Sequence, residues 1–409
     1  MRALVSVLLA ACALALSACQ HAPRRDPAQE LTILVGIDGF RWDYLEIHEA
    51  PTLRRLAAEG VRAGRMEAAF PTKTFPNHYT LVTGLRPESH GIVANGFYDP
   101  ATDGWFTMAR TETHWWAGGE PVWITAEKQG VRSACFFWPG SESEIQGRRP
   151  SFFRPFEKRL TSDERVDGLL AWLALPAAER PRFATLYFCV VDDAGHKHGP
   201  TAPGTGEAVR IADAAVARLL AGLERLGLRD RTNLVFVSDH GMTETAPERV
   251  IFIEDLVDSD RVQVEALGPN GGVRPKPGTV TPAELAESIR AKAPPQLQVY
   301  LREEVPARLH YRRSERIPPV VLVADEGWNL ESKVGWPRRR AIYSKGNHGW
   351  DPALESMGAL FVAHGPAIRR GQVLPEARSL DVYALLCALL GVKPAPNEGD
   401  AGLARAVLR

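Results

Sequence analysis

Six side chains that could bind metal ions occur along this sequence, and five of them come shortly after short apolar runs. They are three aspartates and three histidines: Asp38, Asp192, His196, Asp239, His240 and His348. Zn²⁺ accepts this mixture of carboxylate oxygen and imidazole nitrogen, whereas Ca²⁺ and Mg²⁺ prefer oxygen ligands alone. Six such ligands are enough for two ions, so the residue types predict a two-zinc site in which no cysteine takes part.

The spacing of these ligands allows them to meet at one edge of a sheet. Each aspartate follows, directly or nearly, an apolar run that reads as a strand: Asp38 after Leu31–Ile37, Asp192 after Phe183–Val191 and Asp239 after Asn233–Val237. A parallel sheet carries its functional residues in the loops past the carboxyl ends of its strands. His196 lies four residues after Asp192, so one loop or turn can bring the two side chains together.

A threonine in a separate segment has the right setting for a nucleophile. Thr74 lies where a turn leads into a helix predicted over Phe75–Thr83. A hydroxyl at or near the helix N-cap meets the positive end of the helix dipole, and contact with a metal would allow it to lose its proton near neutral pH. Without metal ligands around it, Thr74 would be an ordinary helix cap.

The remaining pattern indicates the elements that must position these residues. Short apolar runs, typical of strands in a sheet covered on both faces, occur at Leu31–Ile37, Val131–Trp138, Phe183–Val191, Asn233–Val237 and Ala359–Ala363. Helical periodicity occurs at Ala50–Glu59, Phe75–Thr83, Ser162–Leu173, Glu207–Leu226 and Leu380–Leu390. Strands that alternate with helices predict an α/β fold with a mostly parallel central sheet and helices on both faces.

Composition excludes several classes of protein. The chain has 409 residues, with 45% hydrophobic residues and 49 basic against 49 acidic side chains. These values are typical of a globular protein and exclude disordered, collagen-like and disulfide-framework chains. Because the formal net charge is zero, nothing draws the chain generally to nucleic acid, and we expect no specific binding of a duplex. An anionic substrate must therefore be bound by a local site.

The first residues read as an export signal. Arg2 is followed by an apolar run that ends in Leu-Ser-Ala-Cys19, which resembles the lipobox of bacterial lipoproteins. We therefore expect residues 1–18 to be a signal peptide, Cys19 to be a lipid anchor and residues 19–30 to be a tether. Gln20 at the next position favours the outer membrane, on the periplasmic side of a bacterial envelope. The alternative is an ordinary signal peptide that happens to contain Cys19.

The candidate residues belong to six short motifs spread along the chain. In order they are Thr74-Phe-Pro-Asn-His-Tyr79, Gly84-Leu-Arg-Pro-Glu-Ser-His-Gly91, Trp138-Pro-Gly-Ser141, Asp192-Asp-Ala-Gly-His196, Ser238-Asp-His-Gly-Met242 and Gly346-Asn-His-Gly-Trp350. Together they resemble the nucleotide pyrophosphatase/phosphodiesterase family of the alkaline phosphatase superfamily, over about residues 31–395. The resemblance implies an alkaline-phosphatase-like catalytic domain over 31–409, with insertions near 96–130 and 247–344. It also implies hydrolysis of nucleotide phosphodiester or phosphoanhydride bonds through a phospho-threonine intermediate.

The resemblance further implies how the two zinc ions are held. Asp192, His196 and His348 would bind one ion, and Asp38, Asp239 and His240 the other, with Thr74 as the metal-bound nucleophile. All of these residue types stand at the expected positions in the sequence.

Residues that contact the substrate are implied in the same way. Asn95, 21 residues after Thr74, matches an asparagine that contacts a phosphate oxygen together with the backbone N–H of Thr74. Phe75 and Tyr187 fall where the family stacks a nucleobase between aromatic faces. Lys73, beside the nucleophile, is a further candidate for substrate binding. The plainer alternatives are a turn residue for Asn95 and core residues for the two aromatics.

Other functions stay open at this point. The same site could act on choline phospholipids, on phosphomonoesters or on phosphonates. Monoesters need extra cations, and the segment Trp138-Pro-Gly-Ser-Glu142 offers none, so diesters are favoured and Lys73 is an isolated exception. A catalytically inactive lipoprotein could instead bind a glycan or a protein through the tryptophans of the first insertion, Trp105, Trp115, Trp116 and Trp123.

Overall fold

The computed structural model describes residues 30–409, and its centre is a sheet of eight strands. In chain order the strands are β1 (Leu31–Ile37), β2 (Val61–Ala63), β3 (Ser133–Phe136), β4 (Phe152–Arg154), β5 (Phe183–Phe188), β6 (Thr232–Val237), β7 (Phe361–His364) and β8 (Gln372–Leu374). Their spatial order is β8-β2-β7-β6-β1-β5-β3-β4. Only β7 runs antiparallel to its neighbours, so the prediction of a mostly parallel α/β sheet is confirmed.

The three central strands are buried because both of their faces are covered. Every residue of β1, β5 and β6 is buried, and β1 pairs in parallel register with both of the others. Alternate side chains of β1 enter different hydrophobic clusters: Leu34 packs in one, and Ile33 and Val35 pack in the other. The continuous apolar runs in the sequence therefore reflect a sheet with a core on each side.

Within residues 30–409, seven helices have nine or more residues. They are α1 (Pro51–Glu59), α2 (Thr74–Thr83), α3 (Ser162–Leu173), α4 (Val190–His198), α5 (Pro203–Arg225), α6 (Pro282–Arg290) and α7 (Val382–Leu390). Residues of α1, α3 and α5 pack in one core cluster, and residues of α2 and α7 pack in the other. Helices thus cover both faces of the sheet, as the sequence predicted.

One element differs from the sequence prediction in a way that matters for function. The strand expected over Phe183–Val191 ends at Phe188, and α4 begins at Val190. Asp192 and His196 therefore lie one helical turn apart on α4, where residues four apart share a face. The β-branched pair Val190 and Val191 favoured a strand, but tertiary packing overrides this propensity.

The first segment expected to be an insertion, 96–130, packs into one of the two hydrophobic clusters beside the central sheet. It contains a hairpin of Gly96–Asp99 with Gly104–Thr107 and two short helices, Thr113–Trp116 and Val122–Lys128. Trp115, Trp116 and Trp123 are buried, and only Trp105 of the four tryptophans is exposed, at 40%. These side chains stabilise the core, which removes most of the aromatic surface on which a glycan-binding role would depend.

The second such segment, 247–344, forms a small unit with its own core. Four antiparallel strands, in the spatial order Val262–Ala266, Asn270–Pro275, Val320–Ala324 and Leu297–Leu301, pack with α6 around a separate hydrophobic cluster. Shorter strand pairs are Thr243–Glu244 with Gly346–Asn347, Val250–Phe252 with Asn329–Glu331, and Met66–Glu67 with Ala377–Arg378. Shorter helices are Tyr44–Ile47, Pro87–His90, Ile253–Leu256, Trp336–Arg340 and Gly402–Val407.

The expected signal peptide, Cys19 anchor and nearly all of the tether lie outside the described residues. Within residues 30–409, no helix has the length and apolar character needed to cross a lipid bilayer.

Candidate active site

Three candidate ligands, each in the segment that follows one of three adjacent strands, meet at the carboxyl edge of the sheet. Asp38 directly follows β1, Asp239 follows β6 by one residue, and Asp192 lies in the first turn of α4, just after β5. Because β6, β1 and β5 are neighbours in parallel register, their ends lie side by side. His348 reaches this edge from the loop after Gly346–Asn347.

Asp192, His196 and His348 form one candidate metal group. One ligand atom from each residue lies within 4.8 Å of the others. Asp192 Oδ2 is 3.4 Å from His196 Nε2, and Asp192 Oδ1 is 3.7 Å from His348 Nε2. The structure therefore brings together the three residues that were expected to hold one zinc ion.

The structure also brings together the residues expected to hold the other ion, Asp38, Asp239 and His240. His240 Nε2 is 2.9 Å from Asp239 Oδ2 and 3.5 Å from Asp38 Oδ1. Two other sets of possible metal ligands share residues with this one. Asp38 and Asp239 form a set with His78, and Asp38 and His240 form a set with Asp192. His78 was not expected at the site, although it lies in the threonine motif, four residues after Thr74.

The backbone presets how the three histidines can bind a metal. Nδ1 of His196 donates to Gly346 O at 2.7 Å, Nδ1 of His240 to Gly241 O at 2.8 Å, and Nδ1 of His348 to Thr72 O at 2.8 Å. A carbonyl oxygen only accepts, so each Nδ1 carries the proton and each Nε2 keeps its lone pair. The Nε2 atoms face the carboxylates, and a hydrogen bond of this kind fixes the ring of a metal ligand.

Three carboxylates in one buried site need positive charge nearby. Burial, together with Asp239 and Asp192, raises the pKa of Asp38 well above its usual value, and burial also raises the pKa of Asp192. Burial opposes ionisation of Asp239, but His240 and His78 hold its pKa well below the usual range. Among the described residues, no lysine or arginine pairs with any of the three aspartates.

The unpartnered atoms of the site match what metal ions require. Asp38 Oδ1, Asp192 Oδ1 and Asp239 Oδ2 are buried and accept no hydrogen bond in the structure. Buried polar atoms without partners are rare in folded proteins, and each costs about 1–3 kcal/mol. Divalent cations bound between these oxygens and the free Nε2 atoms would satisfy the atoms and neutralise the charge. The donor set therefore fits two zinc ions.

Thr74 lies directly beside this group of ligands. It is the first residue of α2, with Lys73 as the N-cap, so the helix begins one residue earlier than the sequence predicted. Thr74 Oγ1 is 3.5 Å from His240 Nε2. The backbone N–H of Thr74 lies in the first helical turn, where it has no acceptor within the helix.

Asn95 lies at the same corner and makes a contact that the sequence did not predict. Its Oδ1 accepts a hydrogen bond of 2.9 Å from the backbone N–H of Phe75. This bond fixes the orientation of the side-chain amide and leaves its Nδ2 donor without a partner among the described residues. The Asn95 amide and the Thr74 N–H are thus both available to an oxygen near the Thr74 hydroxyl.

A cleft of about 370 Å³ opens over these residues. Its lining includes Thr74, Phe75, Asn95, Phe156 and the ligands Asp38, Asp192, His196 and His348. Phe75 is half-buried, and its ring centroid lies 6.1 Å from that of Trp116. Phe156, 49% exposed, contributes a second aromatic side chain to the lining. The cleft therefore joins a ligand-rich corner to an aromatic wall.

Two further residues expected to contact the substrate are enclosed by the protein to different degrees. Tyr187 lines the cleft but is only 8% exposed, because its hydroxyl donates to Asp38 and its ring packs edge-on against His78. Lys73 is not part of the cleft lining; its Cε lies 3.1 Å from the position that a Cβ on Gly349 would occupy. Burial lowers the pKa of Lys73 to about 8.

Two residues at the aromatic wall, one behind it and one in it, were not predicted from the sequence. Arg165 is 2% exposed, donates to Tyr187 O at 2.9 Å and has its guanidinium carbon 5.5 Å from the ring centroid of Phe156. It lies on the buried stripe of α3, four residues before Leu169, where a charged residue is a visible anomaly. Phe156 lies in an irregular loop and carries no such signal.

Comparisons with known proteins agree with this geometry. Residues 32–351 match the family model described as type I phosphodiesterase / nucleotide pyrophosphatase. Ectonucleotide pyrophosphatase/phosphodiesterase family member 1 of Mus musculus is 38% identical over 382 residues, a match that covers 91% of this chain and 42% of the mouse protein. Bis(5'-adenosyl)-triphosphatase enpp4 of Xenopus laevis is 37% identical over 378 residues, which cover 91% of this chain and 81% of the frog protein.

Solved structures show the same similarity. Human ectonucleotide pyrophosphatase / phosphodiesterase 5 superposes with a TM-score of 0.87 at 35% identity, over 93% of this chain and all of that one. The murine counterpart, described as an inactive threonine-to-alanine variant in complex with AMP, superposes with a TM-score of 0.86 at 34% identity, over the same shares of both chains. The chain therefore belongs to the type I phosphodiesterase/nucleotide pyrophosphatase family, a family of hydrolytic enzymes in the alkaline phosphatase superfamily.

Proposed function

We propose that the protein hydrolyses phosphodiester or phosphoanhydride bonds of nucleotides at a two-zinc site, with Thr74 as the nucleophile. The observation that carries the proposal is the position of the Thr74 hydroxyl, 3.5 Å from His240 Nε2, beside buried carboxylates that have no lysine or arginine partner within residues 30–409. Bound there, zinc ions would offset the charge of the phosphate and favour ionisation of the Thr74 hydroxyl.

The cleft supports a nucleotide as the substrate. Phe75 and Phe156 both line it, and aromatic faces bind any nucleobase by stacking. The murine structure with AMP supports the same class of ligand, and its inactive threonine variant supports a threonine nucleophile. The names of the mouse and frog relatives also describe nucleotide hydrolysis.

The residues of this chain divide the reaction between them. Thr74 Oγ attacks phosphorus while its proton passes to water. The bond from phosphorus to the leaving oxygen breaks with its electron pair, and the nucleoside-bearing phosphoryl group stays on Thr74. Asn95 Nδ2 and the Thr74 N–H donate to a non-bridging oxygen, where negative charge must be stabilised in the loose transition state. Water then attacks the phosphorus of this nucleoside-bearing phospho-threonine and breaks its bond to Thr74 Oγ. The nucleoside monophosphate is released, and a proton from the water restores the Thr74 hydroxyl. Two inversions give net retention at phosphorus.

Stereochemistry tests the intermediate. A substrate with a chiral phosphorothioate centre should give a product with the configuration retained. A single inversion would mean that water attacks the substrate directly and would refute the phospho-threonine step.

The choice of substrate class is tested by comparing three chromogenic esters. We expect p-nitrophenyl thymidine phosphate to be hydrolysed faster than p-nitrophenyl phosphate or p-nitrophenyl phosphorylcholine. The cleft offers little unpaired positive charge for a dianion. Of the cations that line it, Lys158 is paired with Asp193 at 2.8 Å and Arg110 with Glu112 at 2.9 Å, and Lys73 is not part of the lining. Fastest turnover of the monoester or of the choline ester would contradict the assignment.

We further propose that the protein is exported and held to a membrane through Cys19. Its relatives include proteins named as ectoenzymes and venom enzymes, which supports export. Glu30, the first described residue, accepts a hydrogen bond of 2.7 Å from Asn233 in β6, at the edge of the sheet opposite the candidate site. An anchored protein would therefore carry its cleft on the side away from the tether. Loss of membrane association in a Cys19→Ala variant tests this proposal.

A further inference from the structure

The two carboxylate oxygens of Asp38 have different surroundings. Oδ2 accepts a hydrogen bond of 2.5 Å from the hydroxyl of Tyr187. Oδ1 is buried, accepts no hydrogen bond and lies 3.5 Å from His240 Nε2. The two oxygens of this carboxylate are therefore distinguished by a neighbour that is not itself a candidate metal ligand.

The register of the sheet places Tyr187 where it can make this contact. Gly36 of β1 pairs with Tyr187 of β5, and Asp38 follows Gly36 by two residues, so all three positions face the same side of the sheet. A Cβ on Gly36 would lie 2.9 Å from the ring of Trp138 and 3.4 Å from Nε2 of His78. The missing side chain leaves room for these rings beside Tyr187.

The ring of Tyr187 is held on several sides. Its centroid lies 5.2 Å from that of His78 and 6.1 Å from that of Phe156. Arg165 donates to its backbone carbonyl at 2.9 Å. A hydroxyl held this firmly restricts the rotation of the carboxylate that it contacts, and a phenol can donate where an ionised carboxylate can only accept.

We propose that Tyr187 is a positioning residue that holds Oδ2 of Asp38, so that Oδ1 is the oxygen presented to the metal ion shared with Asp239 and His240. The proposal rests on the proposed two-zinc site. Outer partners of metal ligands fix ligand geometry, and their loss typically lowers metal affinity about 10- to 100-fold. Asp192, His196 and His348 have no hydrogen bond with Tyr187, so the zinc ion that they hold should be unaffected.

The test is zinc binding by a Tyr187→Phe variant, which removes one oxygen and keeps the ring. Metal-free full-length protein is titrated with zinc in competition with a chromogenic chelator, and both dissociation constants are fitted. We expect two sites in each protein. One should be weakened about 10- to 100-fold in Tyr187→Phe, while the other stays within about twofold of the wild-type value. Repeating the titration in a His196→Ala background, where Asp38, Asp239 and His240 are intact, assigns the change to their site.

A matched control separates this effect from the loss of a buried tyrosine hydroxyl in general. Tyr311 is buried and donates to Val93 O at 3.0 Å, away from the cleft. Tyr311→Phe should leave both zinc affinities unchanged, and the metal-free forms of both variants should unfold cooperatively. If wild type binds two zinc ions and Tyr187→Phe binds both equally well, or loses both to the same extent, the positioning role is refuted while the two-zinc site stands. If wild type binds no zinc, the proposed function itself fails.

Discussion

Asn95 offers a prediction in which two substitutions separate catalysis from structure. Its Oδ1 accepts from the Phe75 N–H at 2.9 Å, and its Nδ2 is free to donate to the phosphate. Asn95→Ala removes both functions, whereas Asn95→Asp keeps an acceptor for the Phe75 N–H and replaces only the donor. A purely structural role would therefore leave the aspartate variant more active than the alanine variant.

A role for Asn95 as a donor to the phosphate predicts the opposite order. Loss of one donor to a developing negative charge costs about 2.7–4 kcal/mol, a fall in kcat of about 10²- to 10³-fold, and this is the effect expected for Asn95→Ala. In Asn95→Asp a carboxylate about 4 Å from the phosphate adds a repulsion of about 4 kcal/mol at an effective dielectric constant of about 20. The kcat of the aspartate variant should then be about a further 10³-fold lower.

The assay is steady-state hydrolysis of p-nitrophenyl thymidine phosphate by zinc-loaded protein, with thermal unfolding measured in parallel. Asn397 is a suitable control, because its amide donates to Ala395 O at 2.9 Å outside the cleft, and Asn397→Ala should leave kcat unchanged. An Asn95→Asp variant that is as active as wild type, or more active than Asn95→Ala, would refute the donor role.

Three further predictions concern other parts of the site and the fold. Thr74→Ala should abolish turnover while both zinc ions stay bound, as measured by metal analysis; appreciable remaining activity would exclude it as the nucleophile. Phe156→Ala should raise KM about 5- to 150-fold, which corresponds to the 1–3 kcal/mol of a stacked base, whereas Phe153→Ala, an exposed neighbour outside the lining, should not. Burial lowers the pKa of His90 to about 3, so below about pH 6.5 the unfolded chain binds a proton that the folded chain excludes. The free energy of unfolding should then fall by about 2 kcal/mol between pH 7 and pH 5 from this group, and urea unfolding of His90→Gln should show a correspondingly smaller fall.

The positions of the aspartates could be predicted because they depend on simple geometry. Asp38 and Asp239 follow buried strands, and parallel strands end at one edge of a sheet. The position of Asp192 is harder to predict, because Val190 and Val191 extend the apolar run beyond the end of the strand and into a helix. His196 follows Asp192 by four residues, and this spacing indicates a helix despite the two β-branched residues.

The surroundings of Tyr187 and Phe156 could not be derived from the sequence. The direction of the Tyr187 side chain depends on the pairing of β1 with β5 and on the space left by Gly36. Phe156 lies in a loop whose path is set by long-range packing against Phe137 and Arg165. Such contacts join residues that are distant in sequence, and no local periodicity encodes them.

Two metal ions should lie between the ligands and Thr74, and anomalous X-ray diffraction at the zinc absorption edge can locate them. Crystals of the protein grown with zinc should show two anomalous peaks about 4 Å apart. One peak should lie among Asp192, His196 and His348, and the other among Asp38, Asp239 and His240, next to Thr74 Oγ. A single peak, or a second peak away from Thr74, would contradict the account.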